Sequence, residues 1–192
     1  MLIDEVDKFW TEEFGDNLPI SNELRSKFGH RWFRIHTLPN SKRYAENESE
    51  YAEILSRHNI VLEDLFNSKE RIILISCSYS EKSEPTKNPK LVAMGLQEDF
   101  WRTINQGNDE ETEKYFCHLF VDEKHWKNGL LDELFRLVAE DEVNEVMIIS
   151  DERNFVYHPY DGGADVILKD SFTRDSYKQK YKRWLSARPD GL

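Results

Sequence analysis

Cysteine is scarce in this sequence, which contains only Cys77 and Cys117. A small secreted fold held together by disulfides needs a denser and more regular set of cysteines. Both cysteines lie inside apolar runs, and no regular spacing relates them. We therefore expect two buried thiols rather than a disulfide framework, and a reducing compartment such as the cytoplasm.

Long apolar runs are also missing, and none approaches the roughly 20 residues that a membrane-spanning helix requires. The first residues, MLIDEVDKFW, are acidic and amphipathic. A secretory signal instead begins with basic residues and continues with an apolar stretch. The expected location is therefore cytoplasmic, with no membrane partner.

Positive charge is in short supply, because 26 lysines and arginines stand against 37 aspartates and glutamates, for a formal net charge of −11. Affinity for nucleic acid depends largely on neutralising phosphates, so we expect no nucleic-acid partner. The same balance permits a basic protein partner, although an acidic surface also serves solubility alone.

Motifs that fix a reaction are absent as well. The sequence contains no GxSxG nucleophile elbow, no glycine-rich phosphate loop and no catalytic cysteine signature. Its histidines, at positions 30, 36, 58, 118, 125 and 158, show no metal-binding spacing, and there is no CxxC pair. We therefore expect no metal, no cofactor and no identifiable catalytic residue, and we favour a protein that is not an enzyme.

The residues that are present suit one globular domain over 1–192, since 39% are apolar and 12% aromatic. Apolar residues recur at helical spacing in several segments, and residues 91–105 are predicted to end in a further helix containing Phe100, Trp101 and Ile104. The clearer helical segments are 2–14, a short turn after Ser21, 48–66, 129–141 and about 171–186.

Strand patterns alternate with these helices at 30–37, 71–80, 114–121 and 145–150. The 71–80 run is almost continuously apolar, which predicts a strand covered on both faces. Two more strands flank Asp161-Gly162-Gly163, a hairpin signal because glycine accepts the positive φ of tight turns.

This order predicts an α+β fold, with a mixed or largely antiparallel sheet of about five to six strands and helices packed on it. The closely spaced strands toward the C-terminus favour antiparallel pairing. A doubly wound parallel sheet is the weaker alternative, because no glycine-rich turn joins a strand to a helix.

The string YHPYDGGAD, residues 157–165, is the first candidate site. A histidine near carboxylates can act in binding or in acid–base chemistry. The structural alternative is that the glycines and Pro159 shape a hairpin while the tyrosines pack at its base. The candidate binding residues in this string are Tyr157, His158, Tyr160, Asp161 and Asp165.

A second candidate lies in the predicted strand at 30–37, where Arg34 and His36 share one face. Together with Arg43 a few residues later, they could hold a phosphate or carboxylate. The structural alternative is a solvated or salt-bridged sheet face.

The predicted C-terminal helix region carries a local excess of positive charge, with six Lys and Arg against two Asp between residues 171 and 192. This surface is expected to dock on the chain's own acidic stretch GNDEETE, residues 107–113. An anionic partner is the alternative.

Several strings, taken together, cover most of the chain. They are RWFRIHTLPNSKRYAENESEYAEILSRHN (31–59), HLFV (118–121), the run from Leu130 to Ile149, YHPYDGGADVIL (157–168) and RWLSARPDGL (183–192). On these strings the chain resembles a bacterial family, domain of unknown function 3885. The resemblance implies a bacterial single-domain protein, and it supplies no activity, cofactor or catalytic residue.

Two functions from different classes fit these observations. The favoured one is a non-enzymatic protein-binding module, similar in character to small acidic immunity proteins, whose acidic residues steer a basic partner. The alternative is a hydrolase or phosphate-handling enzyme whose groups converge from separate strands. Those groups would be Arg34, His36, His158 and Asp161 or Asp165.

Overall fold

The computed structural model describes residues 1–105, 115–188 and 190–191. The helices are α1 (Leu2–Phe14), α2 (Ser21–Lys27), α3 (Glu48–Leu65), α4 (Pro89–Ala93), α5 (Asp132–Ala139) and α6 (Ser171–Lys180). The strands are β1 (Trp32–His36), β2 (Arg71–Ser80), β3 (Asp99–Asn105), β4 (Phe116–His125), β5 (Val146–Ser150), β6 (Phe155–Tyr160) and β7 (Gly163–Ile167).

In the described part of the chain the strands form one seven-stranded sheet in the order β1-β7-β6-β5-β2-β4-β3. Every neighbouring pair is antiparallel. The α+β class is therefore confirmed, whereas the expected five to six strands were too few.

The additional strand is β3, where the sequence had predicted a helix. Trp101 and Ile104 are three residues apart, yet both are buried in the same core. A β-bulge explains this spacing, because the register with β4 shifts between Phe100 and Arg102. An extra residue in a bulge breaks the period-2 alternation of a strand. The resulting spacing of three imitates that of a helix.

Among the described residues, one large hydrophobic core lies on each face of the sheet. Alternate residues of β2 enter different cores, with Ile72 and Leu74 on one side and Ile73 and Ile75 on the other. Side chains of α3, α5 and α6 cover the first face, and those of α1 and α2 cover the second. This confirms the prediction that the apolar strand at 71–80 is covered on both faces.

Most helix bounds agree with the sequence pattern. Helix α3 begins after Asn47, whose side chain accepts a hydrogen bond from the Glu50 backbone N–H. Helix α6 is shorter than predicted. After Lys180 the chain turns, and the Trp184 carbonyl accepts a hydrogen bond from the His36 N–H at 2.7 Å. The tail thereby pairs with the end of β1, which a continued helix could not do.

The two cysteines are not separate thiols. Cys77 and Cys117 lie on the neighbouring strands β2 and β4, with 5.8 Å between their Cα atoms, and they are joined as a disulfide. Sequence spacing could not reveal this, because 40 residues separate them and only the strand order makes them neighbours. The inference of a reducing compartment from free thiols therefore loses its basis.

Among the helices of residues 1–105 and 115–188, none combines the length and the apolar character that a membrane-spanning segment needs. The acidic stretch at 107–113, which was expected to receive the basic C-terminal helix, lies outside the described residues. Within the described part, Lys180 of α6 pairs with Asp64 at 2.5 Å, and Arg174 pairs with the adjacent Asp175 at 2.6 Å.

Candidate binding cleft

Strand register places three of the predicted site residues in one row across the sheet. Arg34 on β1 lies opposite Asp165 on β7, and Asp165 lies opposite His158 on β6. Directly opposed residues of antiparallel strands have side chains on the same face. The two strings singled out in the sequence therefore meet, although 131 residues separate Arg34 from Asp165.

Asp165 is the most heavily engaged of these groups, and it is only 5% exposed. The Arg34 guanidinium donates two hydrogen bonds to it, from Nε at 2.7 Å and from Nη2 at 2.8 Å. The Trp32 indole N–H donates a third at 2.9 Å, and Arg25 on α2 approaches to 3.9 Å. Two hydrogen bonds between the same guanidinium and carboxylate fix the orientation of both groups, so the Arg34 side chain is held in place.

Asp161 lies at the tip of the β6–β7 hairpin and pairs with a more exposed cation. Its carboxylate accepts a hydrogen bond from Arg43 Nε at 2.7 Å, and the Arg43 side chain is 64% exposed. The Asp161 carboxylate also interacts with the Tyr44 hydroxyl and raises its pKa. Asp161 thus ties the 43–44 segment to the hairpin.

The hairpin itself is confirmed, but its glycines act differently from the prediction. Neither Gly162 nor Gly163 has a positive φ. A Cβ at Gly163 would instead lie 1.9 Å from the Ile35 carbonyl oxygen. Glycine is therefore needed there because the β1 backbone comes so close.

His158 is buried without a hydrogen-bond partner on either ring nitrogen among the described residues. Burial lowers the pKa of its imidazole, although the nearby Glu145 and Asp165 carboxylates act in the opposite direction. The Glu145 Oε2 lies 3.8 Å from Nε2, which is too far for a hydrogen bond. Glu145 instead accepts hydrogen bonds from the Ser21 N–H at 3.2 Å and hydroxyl at 3.1 Å.

These groups surround a polar cavity of about 250 Å³, which we call the hairpin cleft. Its walls come from β1, β6, β7, α2, the segment after β1 and the α5–β5 connection. The lining residues are Ser21, Arg25, Arg34, Arg43, Asp141, Asn144, Glu145, His158, Pro159, Tyr160, Asp161 and Asp165.

Two of the predicted site residues lie elsewhere. Tyr157 is fully buried on the opposite face of the sheet, where its hydroxyl is hydrogen-bonded to His58 Nδ1 at 2.7 Å. His36 lies opposite Gly163, two positions along β7 from Asp165, and it does not line the cleft. The predicted binding residues therefore line one cleft, except for Tyr157 of the first string and His36 of the second.

Several cleft residues were missed by the sequence reasoning. Ser21 and Arg25 belong to α2, and Asp141, Asn144 and Glu145 belong to the α5–β5 connection. These segments carry no motif, and they reach the cleft only through tertiary packing. Asp141 and Glu145 have positive φ, and neither position carries the glycine that most often marks such a conformation.

The order of groups in the cleft limits its chemistry. In a serine hydrolase the imidazole lies between the hydroxyl and the carboxylate. Here the carboxylate of Glu145 lies between the Ser21 hydroxyl and His158, so the imidazole does not contact that hydroxyl. Among the described residues, no group of three or more His, Cys, Asp or Glu side chains is placed to hold a metal ion.

Comparison with known families agrees with the resemblance that the sequence strings indicated. Residues 20–189 match the family described as domain of unknown function, DUF3885. The chain belongs to the DUF3885 family. All residues that line the hairpin cleft fall within the DUF3885 match, whereas α1 precedes it. No curated protein and no solved structure matches the chain.

Proposed function

We propose that this DUF3885 protein is a non-enzymatic protein-binding module that recognises a basic partner through the hairpin cleft. The single observation that carries the proposal is His158, a buried polar side chain that faces a polar cleft and has no partner among the described residues. Buried polar groups are normally hydrogen-bonded, so an unpaired one calls for an explanation. A bound partner group would supply the missing hydrogen bond.

The surrounding ion pairs make the cleft a rigid receptor. Arg34 and Asp165 hold each other through two hydrogen bonds, and Asp161 holds Arg43. Preorganised groups lose little conformational freedom when a partner binds. At about 250 Å³ the cleft lies below the roughly 300–1,000 Å³ of typical small-molecule sites. That size fits one inserted side chain better than a cofactor.

The excess of acidic over basic residues supports a basic partner. The formal net charge of −11 gives an attractive field toward a cationic protein and raises the rate of encounter. An immunity-type role, in which the module neutralises its partner, is one form of this function. A bacterial source belongs to the same proposal and rests on the resemblance. A cytoplasmic location is also part of it, and the Cys77–Cys117 disulfide counts against that part.

A phosphate-handling hydrolase is the second candidate, because Arg34, His158 and Asp161 line one cleft as that hypothesis required. Two facts count against it. His36 lies outside the cleft, and Arg34 already directs Nε and Nη2 at Asp165 rather than at open space. Hydrolysis of p-nitrophenyl phosphate by the wild type, abolished by His158→Gln, would favour this candidate instead.

Site-directed photocrosslinking tests the binding function. A benzoylphenylalanine at the exposed rim position Asn144 should capture a basic protein in the host cell, whereas the same group at the remote, exposed Glu63 should not. The captured protein is then purified for a direct binding measurement.

A steric variant completes this test. Asn144→Trp fills the mouth of the cleft, and we expect it to raise the Kd for the purified partner at least about tenfold, or about 1.4 kcal/mol. The matched control Glu63→Trp should leave the Kd unchanged. Equal crosslinking from both positions, or an unchanged Kd for Asn144→Trp, would contradict the proposal.

A further inference from the structure

We propose that the hairpin cleft accepts a guanidinium group, presented by an arginine side chain of the partner protein. This inference rests on the proposed function and specifies the chemistry that the cleft recognises. Three properties of the cleft lead to it: its uncompensated charge, its free hydrogen-bond acceptors, and the way those acceptors are spread in space.

The charges that line the cleft do not cancel. Arg34 is paired with Asp165, and Arg43 is paired with Asp161. The remaining lining charges are the carboxylates of Glu145 and Asp141 and the guanidinium of Arg25. Arg25 leans toward Asp165, at 3.9 Å, so it does not neutralise Glu145 through a direct contact. A cationic group is therefore favoured in the space beside Glu145.

Glu145 is the central charge in this argument. It is half-buried, and its hydrogen-bond donors among the described residues are the neutral N–H and hydroxyl of Ser21. A carboxylate offers about four lone-pair positions, so Ser21 leaves about half of them open. Charge-assisted hydrogen bonds to such a group are shorter and stronger than neutral ones.

His158 supplies a second, unpaired acceptor next to Glu145. Its imidazole is 7% exposed and has no hydrogen-bond partner on either ring nitrogen among the described residues. Burial lowers the pKa of the imidazole and so favours the neutral ring, in which one nitrogen carries a free lone pair. A ligand that donates hydrogen bonds to Glu145 can thus donate one to His158 as well.

The number of acceptors from different segments, rather than the distance between any two of them, favours a planar fork over a compact ammonium. Oε2 of Glu145 and Nε2 of His158 are 3.8 Å apart and come from different segments, with Asn144 and Asp141 at the exposed rim. A guanidinium has five N–H donors in fixed directions, whereas an ammonium is a point charge. Arginine is also enriched among the residues that dominate binding energy at protein interfaces.

An anionic ligand fits the same space less well. The guanidinium groups of Arg34 and Arg43 are already engaged by aspartates. A phosphate or carboxylate beside His158 would meet the negative charge of Glu145 at close range. Arg34 and Arg43 therefore act as structural clamps on the hairpin rather than as anion ligands.

Titration with methylguanidinium tests this inference without the natural partner. Binding is followed through the NMR signals of the His158 ring and of the Glu145 and Asn144 amides, at constant ionic strength. We expect a saturable shift with a millimolar Kd. Glu145→Gln keeps the acceptor for Ser21 but removes the charge, and it should weaken binding at least about tenfold. The matched control is Glu63→Gln, which removes an exposed charge elsewhere and should bind like the wild type.

Three further probes decide between ligand classes. Butylammonium should bind several-fold more weakly than methylguanidinium, while inorganic phosphate and acetate should produce no saturable shift at His158. Saturation by phosphate or acetate, equal affinity for butylammonium, or no saturable response to methylguanidinium would each overturn the inference. Should it fail while Asn144→Trp still blocks the purified partner, the cleft remains the binding surface and only its ligand chemistry is wrong. If both fail, the proposed function falls as well.

Discussion

Asp161 and Asp165 are four residues apart at one hairpin, yet their ion pairs differ in burial. Arg34, the partner of Asp165, is 14% exposed, whereas Arg43, the partner of Asp161, is 64% exposed. Water and salt screen the second pair far more than the first. The same residue type in the same string therefore makes two contributions of different size to the free energy of unfolding.

Paired substitutions make this difference measurable. Asp165→Asn leaves the Arg34 charge buried without compensation, and such a loss costs about 3–5 kcal/mol. Asp161→Asn keeps an acceptor oxygen for Arg43, whose charge stays in water, and should cost less than about 1 kcal/mol. Urea denaturation of both variants checks the order. Equal losses would show that burial of the arginine does not govern the energy of these pairs.

His58 offers a second prediction, which concerns pH. The side chain is 1% exposed, and burial lowers the pKa of its imidazole to about 3, below an unfolded value of about 6.5. The folded protein thus cannot take up the proton that the unfolded chain binds as pH falls below about 6.5. The free energy of unfolding should decrease by about 2 kcal/mol between pH 7 and pH 5 from this residue alone.

The double variant His58→Phe, Tyr157→Phe isolates this effect, because it removes both members of the buried hydrogen bond and leaves neither unpaired. Urea denaturation at pH 7 and at pH 5 should show that the double variant loses about 2 kcal/mol less than the wild type. His30→Gln removes an exposed histidine and should keep the wild-type difference. An unchanged pH dependence in the double variant would mean that His58 does not resist protonation.

At the scale of the element, the β6–β7 hairpin shows how a correct prediction can have a different physical cause. Gly163→Ala adds a Cβ that overlaps the Ile35 carbonyl, with no strain from φ. Overpacking against backbone costs about 1–3 kcal/mol, and we expect the upper end of that range or more. Gly29→Ala is the matched control, since its Cβ would meet no atom within 4 Å. Thermal unfolding that shifts equally for both variants would contradict this account.

Elements with a regular period could be predicted from the sequence, and irregular ones could not. Apolar residues at helical spacing over 48–66 predict α3, because they form one continuous helical face. The continuous apolar run at 71–80 is enough to predict β2. Strand β3 was missed because the bulge near Trp101 removes the alternation on which recognition of a strand depends. Helix α6 ends early because its tail pairs with β1, and such a long-range contact has no local signal.

At the scale of the whole molecule, some residues of the candidate site could likewise be proposed from the sequence, and others could not. Arg34, His158 and Asp165 could be proposed from sequence because two conspicuous strings contain them, although only the strand order shows that they form one row. Ser21 and Glu145 could not be proposed, since they lie in segments without motif or period and meet across 124 residues of sequence. The position of α2 on the sheet brings them to the cleft.

The sheet also links the two cores, which leads to a prediction about α1. Trp10 of this helix is 2% exposed, packs on Phe14 and Trp101, and donates a hydrogen bond to the Asn17 carbonyl. Trp10→Ala leaves a cavity in the second core and should cost about 3–5 kcal/mol. Glu12→Ala changes an exposed side chain of the same helix and should remain within about 0.5 kcal/mol of the wild type.

The shape of the transition distinguishes a shared core from a detachable helix. Because Ile72 and Ile73 on β2 enter opposite cores, neither core can be lost while the sheet keeps its packing. Trp10→Ala should therefore lower the midpoint of one cooperative transition, seen equally by circular dichroism and by tryptophan fluorescence. If fluorescence changed well before the circular dichroism signal, α1 would be a unit that opens independently. The α2 wall of the hairpin cleft, which packs in the same core, would then be expected to open with it.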